Sequence, residues 1–463
     1  MSLFRNPRPF QRWQWNEITA PLRRELLAVL LAAALAPTSP ARGQTAALTG
    51  PILLPGDATS QPAAGQQWSP EIAAGAGGFL AVWVDARTST VALPENITGG
   101  AVFDNENGSL HDIYAARLDA SGAVIDAAPI VVAQQRLHQA LPSVAFNGEN
   151  WLVVWSGQEG IACCPDINVY AARVTPQGIV LDQEPIVVDT DDTNNGLYWP
   201  TVESDGENWI VVWRDLDASA GIFTLDAARI SPAGVVLDPG GRRVRRDSHN
   251  SYPVSPDLAF AGDRFLLTWS EDSGEVMGQL LTPGLDPLGG VIRINLYAPS
   301  TGLFPRVASD GTDFLVAFWE DRYFGWSQLR CARVNHDGAV LDPAGIELTE
   351  AYGYTNYHPA VAWDGAYYFV VFDHDAFQPD VRAARVTTGG AVLDFNGFTV
   401  EADPALQNEA AAAPAPGGGV MALWKDYRHA GTQPGDIYGR RISRVAQVHP
   451  LTPIALGAPR QSE

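Results

Sequence analysis

Seven times along this chain a bulky aromatic follows a fixed position, usually proline, by thirteen residues. The pairs are Pro70/Trp83, Pro142/Trp155, Pro200/Trp213, Pro256/Trp269, Pro305/Phe318, Pro359/Phe372 and, with alanine for proline, Ala411/Trp424. The interval between units ranges from 49 residues (Pro256 to Pro305) to 72 (Pro70 to Pro142), yet the inner spacing holds. A constant kernel with elastic spacers marks a repeat architecture, in which each unit is one supersecondary element and insertions fall in loops.

The second unit displays the parts. Pro142 to Phe146 reads as a strand, Asn147 to Asn150 as a tight turn and Trp151 to Trp155 as an apolar strand. Val169 to Val174, a turn at Thr175 to Gly178, and a last strand through Pro185 to Val188 complete it. Short runs bounded by Gly, Pro and Asn, with no helical period, are hairpin signals. Four strands repeated seven times predict an all-β chain, a seven-bladed β-propeller of four-stranded blades over residues 44–456. Separate sandwiches are the weaker solution, because units of about 50 residues bury too little surface alone. Thr49 to Pro55 reads as a fourth strand without its own blade, expected to close the ring from the N-terminal side. Pro453 to Leu456 competes for that slot, but joining the two ends of a circular fold favours the N-terminal strand.

Third strands carry arginine in phase at 117, 173, 229, 333, 385 and 441, with Gln279 as the exception. Asp126, Asp182, Asp238, Asp342 and Asp394 recur after the next turn. A pair repeated once per blade reads as structural.

The balance of 52 Asp+Glu against 30 Lys+Arg leaves a net charge of −22. That excludes nucleic acid and anionic membrane as partners, since both need cationic patches. Residues 1–43 read as a signal peptide with an extended n-region: Arg23 and Arg24 precede an apolar run from Leu26 to Ala36 that is too short to span a bilayer. No other stretch is apolar enough to span, and residues 457–463 read as a tail. The expectation is a secreted or periplasmic monomer.

Connections between first and second strands (Asn147-Gly148, Asp205-Gly206) and between third and fourth (Gln177-Gly178, Ala233-Gly234) are short and monotonous, so their shared face reads as scaffold. The opposite face collects variable loops, where function concentrates. It gathers His138, Tyr198, Trp199, His249, Tyr252, Phe304, Tyr357 and His358 before first strands, and His374 and His429 after second strands. The binding candidates are Arg87, Tyr198, Trp199, Phe304, Arg322, Tyr357, His358 and Arg428. His249, Tyr252, Tyr357, His358 and His374 are candidates for general acid–base work. Trp83-x-Asp85-x-Arg87, Phe318-x-Glu320-x-Arg322 and Trp424-x-Asp426-x-Arg428 place acid and arginine on one side of a strand. They read either as pairs closing the blade edge or as arginines open to a carboxylate or sulfate ligand. Asp189, Asp191 and Asp192 sit in an oxygen-rich loop that suits calcium but lacks the spacing of the helix-loop-helix motif.

The Pro-x-Val-Ala…Gly…Phe-Leu-Val-Val-Trp pattern, over about residues 50–456, resembles the propeller repeats of uncharacterised exported bacterial proteins. The resemblance implies this fold and compartment and no particular chemistry. Two functions remain open. One is a binding platform for a glycan or an extracellular protein on the loop-rich face. The other is a polysaccharide lyase or glycosidase acting on an acidic glycan there.

Cys163 and Cys164 are adjacent, and Cys331 replaces alanine in a third strand. In an oxidising compartment the adjacent pair is expected to join, with Cys331 buried and free. Thiol counting on the denatured exported protein should find one free thiol before reduction and three after; three from the outset would exclude the bridge.

Overall fold

Each thirteen-residue kernel folds as the inner hairpin of one antiparallel sheet. The computed structural model describes residues 47–53, 66–87, 111–134, 138–159, 166–190, 197–217, 222–245, 254–271, 273–295, 301–322, 326–353, 358–374, 380–401, 403–429 and 435–444. In blade two, Gln139–Phe146 pairs with Trp151–Glu159, then Asp166–Val174, then Ile186–Asp189. Six further sheets follow the same order. Their first strands are Gln67–Gly75, Tyr198–Ser204, Val254–Phe260, Thr301–Ser309, Ala360–Trp363 and Gln407–Pro414. Each first strand touches the first strands of both neighbours, and Gln407–Pro414 meets Gln67–Gly75, so seven blades form a ring with first strands innermost. The described residues contain no helix. The third strand of blade seven, Asp436–Ser443, pairs with Ala47–Leu48 and Ile52–Leu53, where other blades carry a fourth strand. Pro453 to Leu456 lies outside the described residues.

Second strands are apolar throughout because both faces are covered. In blade one Phe79, Ala81 and Trp83 pack toward blade seven, while Leu80, Val82 and Val84 pack toward blade two. The column Trp83, Trp155, Trp213, Trp269, Phe318, Phe372 and Trp424 is at most 1% exposed. Several of these indoles find an acceptor two residues on: Trp83 donates to Asp85 (2.9 Å), Trp269 to Glu271 (2.6 Å) and Trp424 to Asp426 (3.0 Å).

The repeated arginines and aspartates are joints. Arg117–Asp126, Arg173–Asp182, Arg229–Asp238, Arg333–Asp342 and Arg385–Asp394 are ion pairs of 2.5–2.8 Å. Arg117, Arg173 and Arg333 also reach into the next blade, donating to Pro176 O (3.0 Å), Pro232 O (2.9 Å) and Thr388 O (3.0 Å). The glycine of each receiving turn lies against that guanidinium. Blade four, with Gln279, instead sends Arg264 to His336 O (3.0 Å) in blade five.

First strands begin earlier than the prolines suggested. Gln67–Gly75 and Tyr198–Ser204 run through the residue–proline step as a bulge, where two residues lose their partners. Bulges accommodate proline because its missing N–H costs no ladder bond there. In the first five blades the residue before proline takes a positive φ: Ser69 (49°), Leu141 (54°), Trp199 (53°), Ser255 (51°) and Phe304 (52°).

In blade seven the bulge falls at Glu409-Ala410, with Glu409 at φ 57°. The structural counterpart of the prolines is therefore Ala410, fourteen residues before Trp424. The Ala411 alignment is off by one, because the Pro414–Val420 hairpin of this blade has an extra turn residue.

Gly234 (φ 81°) and Gly206 (φ 91°) both occupy the left-handed region, but a Cβ at 234 would lie 2.9 Å from Arg173 whereas one at 206 meets nothing. Gly206→Ala should cost about 1 kcal/mol from backbone strain. Gly234→Ala should cost roughly 1–2 kcal/mol more through the displaced joint, read as the difference between denaturant melts; equal losses would show that the joint is not stabilising.

Candidate functional site

Six blades carry a strained bulge residue near the start of the first strand, Ser69, Leu141, Trp199, Ser255, Phe304 and Glu409, and in blade six His358 stands in the corresponding place before Pro359. In blades three, five, six and seven the residue at this position meets the residue that follows the buried aromatic of its own second strand. In blades one, two and four the residues after the aromatic are small, Val84, Ser156 and Ser270, and pair in register with Trp68, Ala140 and Val254. In the other four they are specialised. Arg214 lies 4.3 Å over Trp199, and also over Tyr198 and Phe223 (4.9 Å each). Phe304 and Trp319 have ring centroids 6.5 Å apart. His358 Nδ1 is 3.4 Å from Asp373 Oδ2, and its backbone N–H donates to Asp373 Oδ1 at 2.6 Å. Glu409 Oε1 is 3.7 Å from Nζ of Lys425, the only lysine in the chain.

Three of these couples adjoin. Phe304 and His358 have centroids 4.9 Å apart, and the charge of Glu409 in blade seven acts on His358. Blades five, six and seven therefore bring an aromatic, an imidazole–carboxylate dyad and a carboxylate backed by a fully buried ammonium together on one arc. Burial pulls His358 down, but the charge and hydrogen bond of Asp373 outweigh it, and its pKa is raised. The dyad can hold a proton or orient the imidazole as a base.

Below the mouth, the residues one and three positions after proline line the axis. Most blades place alanine, serine or threonine there, whereas Glu71, Glu203, Asp257 and Arg306 are charged. Arg306 reaches across from blade five to within 4.0 Å of Glu71 in blade one. Burial pushes Glu71 up to about 7 despite Arg306, with Asp257 adding to the rise. Its side chain keeps 37% of its surface open, so the crowding that raises it comes from the surrounding axis residues rather than from full enclosure. Glu203 is likewise pushed up to about 7 by burial, against a hydrogen bond from Ser204, and Asp257 is raised by burial.

The remaining candidates are dispersed. Arg87 is bound to Asp85 (2.5 Å) and lies over Tyr114 at 4.5 Å. Arg428 is bound to Asp426 (2.6 Å), approaches Glu401 (3.5 Å) and lies 4.1 Å over Tyr438. Their acids are buried rather than standing at the rim, because each also accepts the indole two residues before it. Glu320 is equally buried and pairs with Arg330 (2.9 Å), and Arg322 ends its strand. His374 is buried at the end of Tyr368–His374, next to Asp373 and so on the opposite side of the strand. His429 meets Asp436 (3.2 Å) away from this arc. His111 is buried against Trp68, and burial followed by the charge of His138 pulls it down to about 3. Cys331 is a free, buried cysteine whose thiol burial pushes up. His249, Tyr252, Tyr357, Asp191, Asp192, Cys163 and Cys164 lie outside the described residues. Asp189 ends the fourth strand of blade two, and no group of three or more metal-ligating His, Cys, Asp or Glu occurs among the described residues. No described helix is long and apolar enough to cross a membrane.

Sequence reasoning found Trp199, Phe304 and His358 but missed their partners and the axis. The signal was present: the residue after each column aromatic (Val84, Ser156, Arg214, Ser270, Trp319, Asp373, Lys425), and the first residue after each bulge proline.

No family model matches the chain, and no curated protein matches it. Among solved structures it is similar to a protein of unknown function from Dyadobacter fermentans, at 11% identity over 86% of this chain and 99% of that one, with a TM-score of 0.46. It is also similar to the NanB sialidase of Streptococcus pneumoniae (10% identity, 86% of this chain and 71% of that one, TM-score 0.44) and to an endo-arabinanase of Bacillus licheniformis (12%, 54% and 95%, TM-score 0.35).

The axis acids make stability pH-dependent with a definite sign. A carboxyl whose folded pKa lies above its unfolded value stabilises the fold fully below the unfolded value of 4.5, and that contribution is lost as pH rises through about 7. Glu71→Gln and Glu203→Gln should therefore gain on the wild type between pH 5 and 8 in urea melts. A constant gap across that range would show that these groups are not desolvated.

Proposed function

We propose that the protein is an exported binding platform that seats a neutral, hydroxyl-rich glycan end at the mouth of the propeller axis. The carrying observation is the arc Phe304/Trp319, His358/Asp373 and Glu409/Lys425, built on bulge residues with φ above zero at Phe304 and Glu409. A bulky residue at positive φ is strained, and such strain persists where the surroundings over-determine it, commonly at ligand sites. An aromatic face beside hydrogen-bonding groups of both signs suits a sugar ring. The uncompensated carboxylates beneath disfavour an acidic glycan, and Arg87 and Arg428 are already engaged by their own aspartates.

Export rests on the Arg23-Arg24 and Leu26 to Ala36 segment; N-terminal sequencing of the mature protein tests it. The His358–Asp373 dyad favours one second reading, a glycosidase of the same site with the imidazole as general base.

Both readings are tested with purified protein against neutral and acidic polysaccharides, following binding by calorimetry and release of reducing ends. Phe304→Ala, Trp199→Ala and His358→Ala should each weaken binding of a neutral glycan by about 1–2 kcal/mol, while Gln177→Ala on the scaffold face leaves it unchanged. Product release that His358→Ala abolishes would replace the platform by the enzyme. Affinity lost in Gln177→Ala but kept in the three mouth variants would place the site on the wrong face.

A further inference from the structure

A second polar cluster lies between blades one and two, apart from the mouth. Gln66 and His111 flank Ala86 in register: Gln67 pairs with Asp85, Asp85 pairs with Asp112, and Ala86 N–H donates to Gln66 O (2.9 Å). The three side chains therefore share one side of the sheet, with the smallest in the middle. Ile113 and Trp68, on the same side, belong to the core shared with blade two. His111 is 4% exposed and Gln66 2%, and neither ring nitrogen of His111 nor either amide atom of Gln66 makes a hydrogen bond. From blade two His138, 5% exposed, brings its ring to a centroid distance of 4.8 Å from His111 at an interplanar angle of 61°. Trp68 closes the other side, edge-on to His111 at 4.7 Å.

Buried polar groups without partners are rare in folded proteins, and each costs desolvation energy that a partner would recover. Here four unbonded polar atoms on two side chains share one side of one blade, beside a second imidazole. Imidazole nitrogens suit zinc, copper and nickel, and an amide oxygen can complete such a set. Two imidazoles on one ion, with metal–nitrogen bonds of about 2.0–2.1 Å, hold their ring centroids roughly 4.5–5.2 Å apart at square or tetrahedral angles. The observed separation falls within that interval.

We propose that His111 and His138, with the amide oxygen of Gln66, bind one borderline divalent metal ion that pins blade one to blade two. The site is closed by Trp68 and Ala86, so the ion serves the fold rather than a substrate. Metal bound to the folded state alone raises stability in proportion to the logarithm of its free concentration.

The test uses the full chain, stripped with chelator and titrated with zinc chloride and with copper(II) chloride by calorimetry, with thermal melts at each metal concentration. One equivalent of zinc or copper should bind, and the melting midpoint should rise with free metal. His111→Gln and His138→Gln should each weaken binding at least about tenfold and flatten that rise. A chain with both Cys163→Ser and Cys164→Ser should bind as the wild type does. Should His111→Gln fail to fold, His138→Gln and the fall in the wild-type midpoint on chelation carry the same comparison. No stoichiometric binding at micromolar metal, binding unchanged in the histidine variants, or binding lost only with the cysteines would overturn the proposal.

Discussion

The first strand of every blade has one edge that no other strand covers, and the interior of the ring is arranged around it. Buried backbone N–H and C=O groups must find partners, and the propeller supplies several of them sideways. Val202 N–H donates to Ser143 Oγ of the preceding blade (3.2 Å) and Val307 N–H to Asp257 Oδ2 (2.7 Å). Ser69 N–H donates to Glu409 (2.6 Å), and the Ala145 carbonyl accepts the Trp209 indole (3.1 Å). Polar side chains along the axis are thus a requirement of the fold before they are a site. A blade that meets it with serine stays neutral. One that meets it with aspartate or glutamate places a charge among the crowded, half-buried groups of the axis.

The joints on the outside follow a different rule. Five third-strand arginines (117, 173, 229, 333 and 385) are held by an aspartate of their own blade, and Arg117, Arg173 and Arg333 aim a further guanidinium nitrogen at the turn of the next. That nitrogen takes a turn carbonyl, and the turn needs glycine both for its positive φ and because a Cβ at Gly178, Gly234 or Gly390 would meet the guanidinium at 2.9 Å. One residue type thereby fixes the angle between blades, and the phased Arg–Asp pattern in the sequence is that angle written out.

How much of this was legible depends on periodicity. The strands, the blade count, the buried aromatic column and the Arg–Asp pairs all repeat, and repetition is visible without coordinates. The mouth is less so, because what distinguishes it is departure from the repeat: arginine at 214, tryptophan at 319, aspartate at 373 and lysine at 425 occupy one position in four blades. The bulge itself carries no composition signal beyond proline, so the first strands seemed to start late and Tyr198, Trp199 and Phe304 seemed to be loop residues. Where proline is replaced by alanine, as in blade seven, the register slips by one. Acid–arginine couples such as Asp85–Arg87 looked open to solvent because strand alternation gives a side of the sheet, while only packing tells whether a neighbouring blade covers it.

Charge decides what the mouth can accept. Among the described residues, the cations nearest the axis are engaged: Arg214 among three aromatic rings, Arg306 facing Glu71, and Lys425 facing Glu409 and the Tyr427 ring at 4.9 Å. The acids outnumber them, and two, Glu71 and Glu203, are carboxyls that burial pushes toward neutrality. An incoming anion would meet this field with no unengaged arginine fork among the cations named here and would raise those carboxyls further. A neutral polyol meets no such penalty: it can stack on Phe304, donate to Glu409 and accept from the imidazole of His358 without altering the charge balance. Net charge of −22 on the whole chain acts in the same direction at long range. On the proposed reading, selection against anions comes from the axis itself, and the aromatic arc at its mouth distinguishes among neutral ligands.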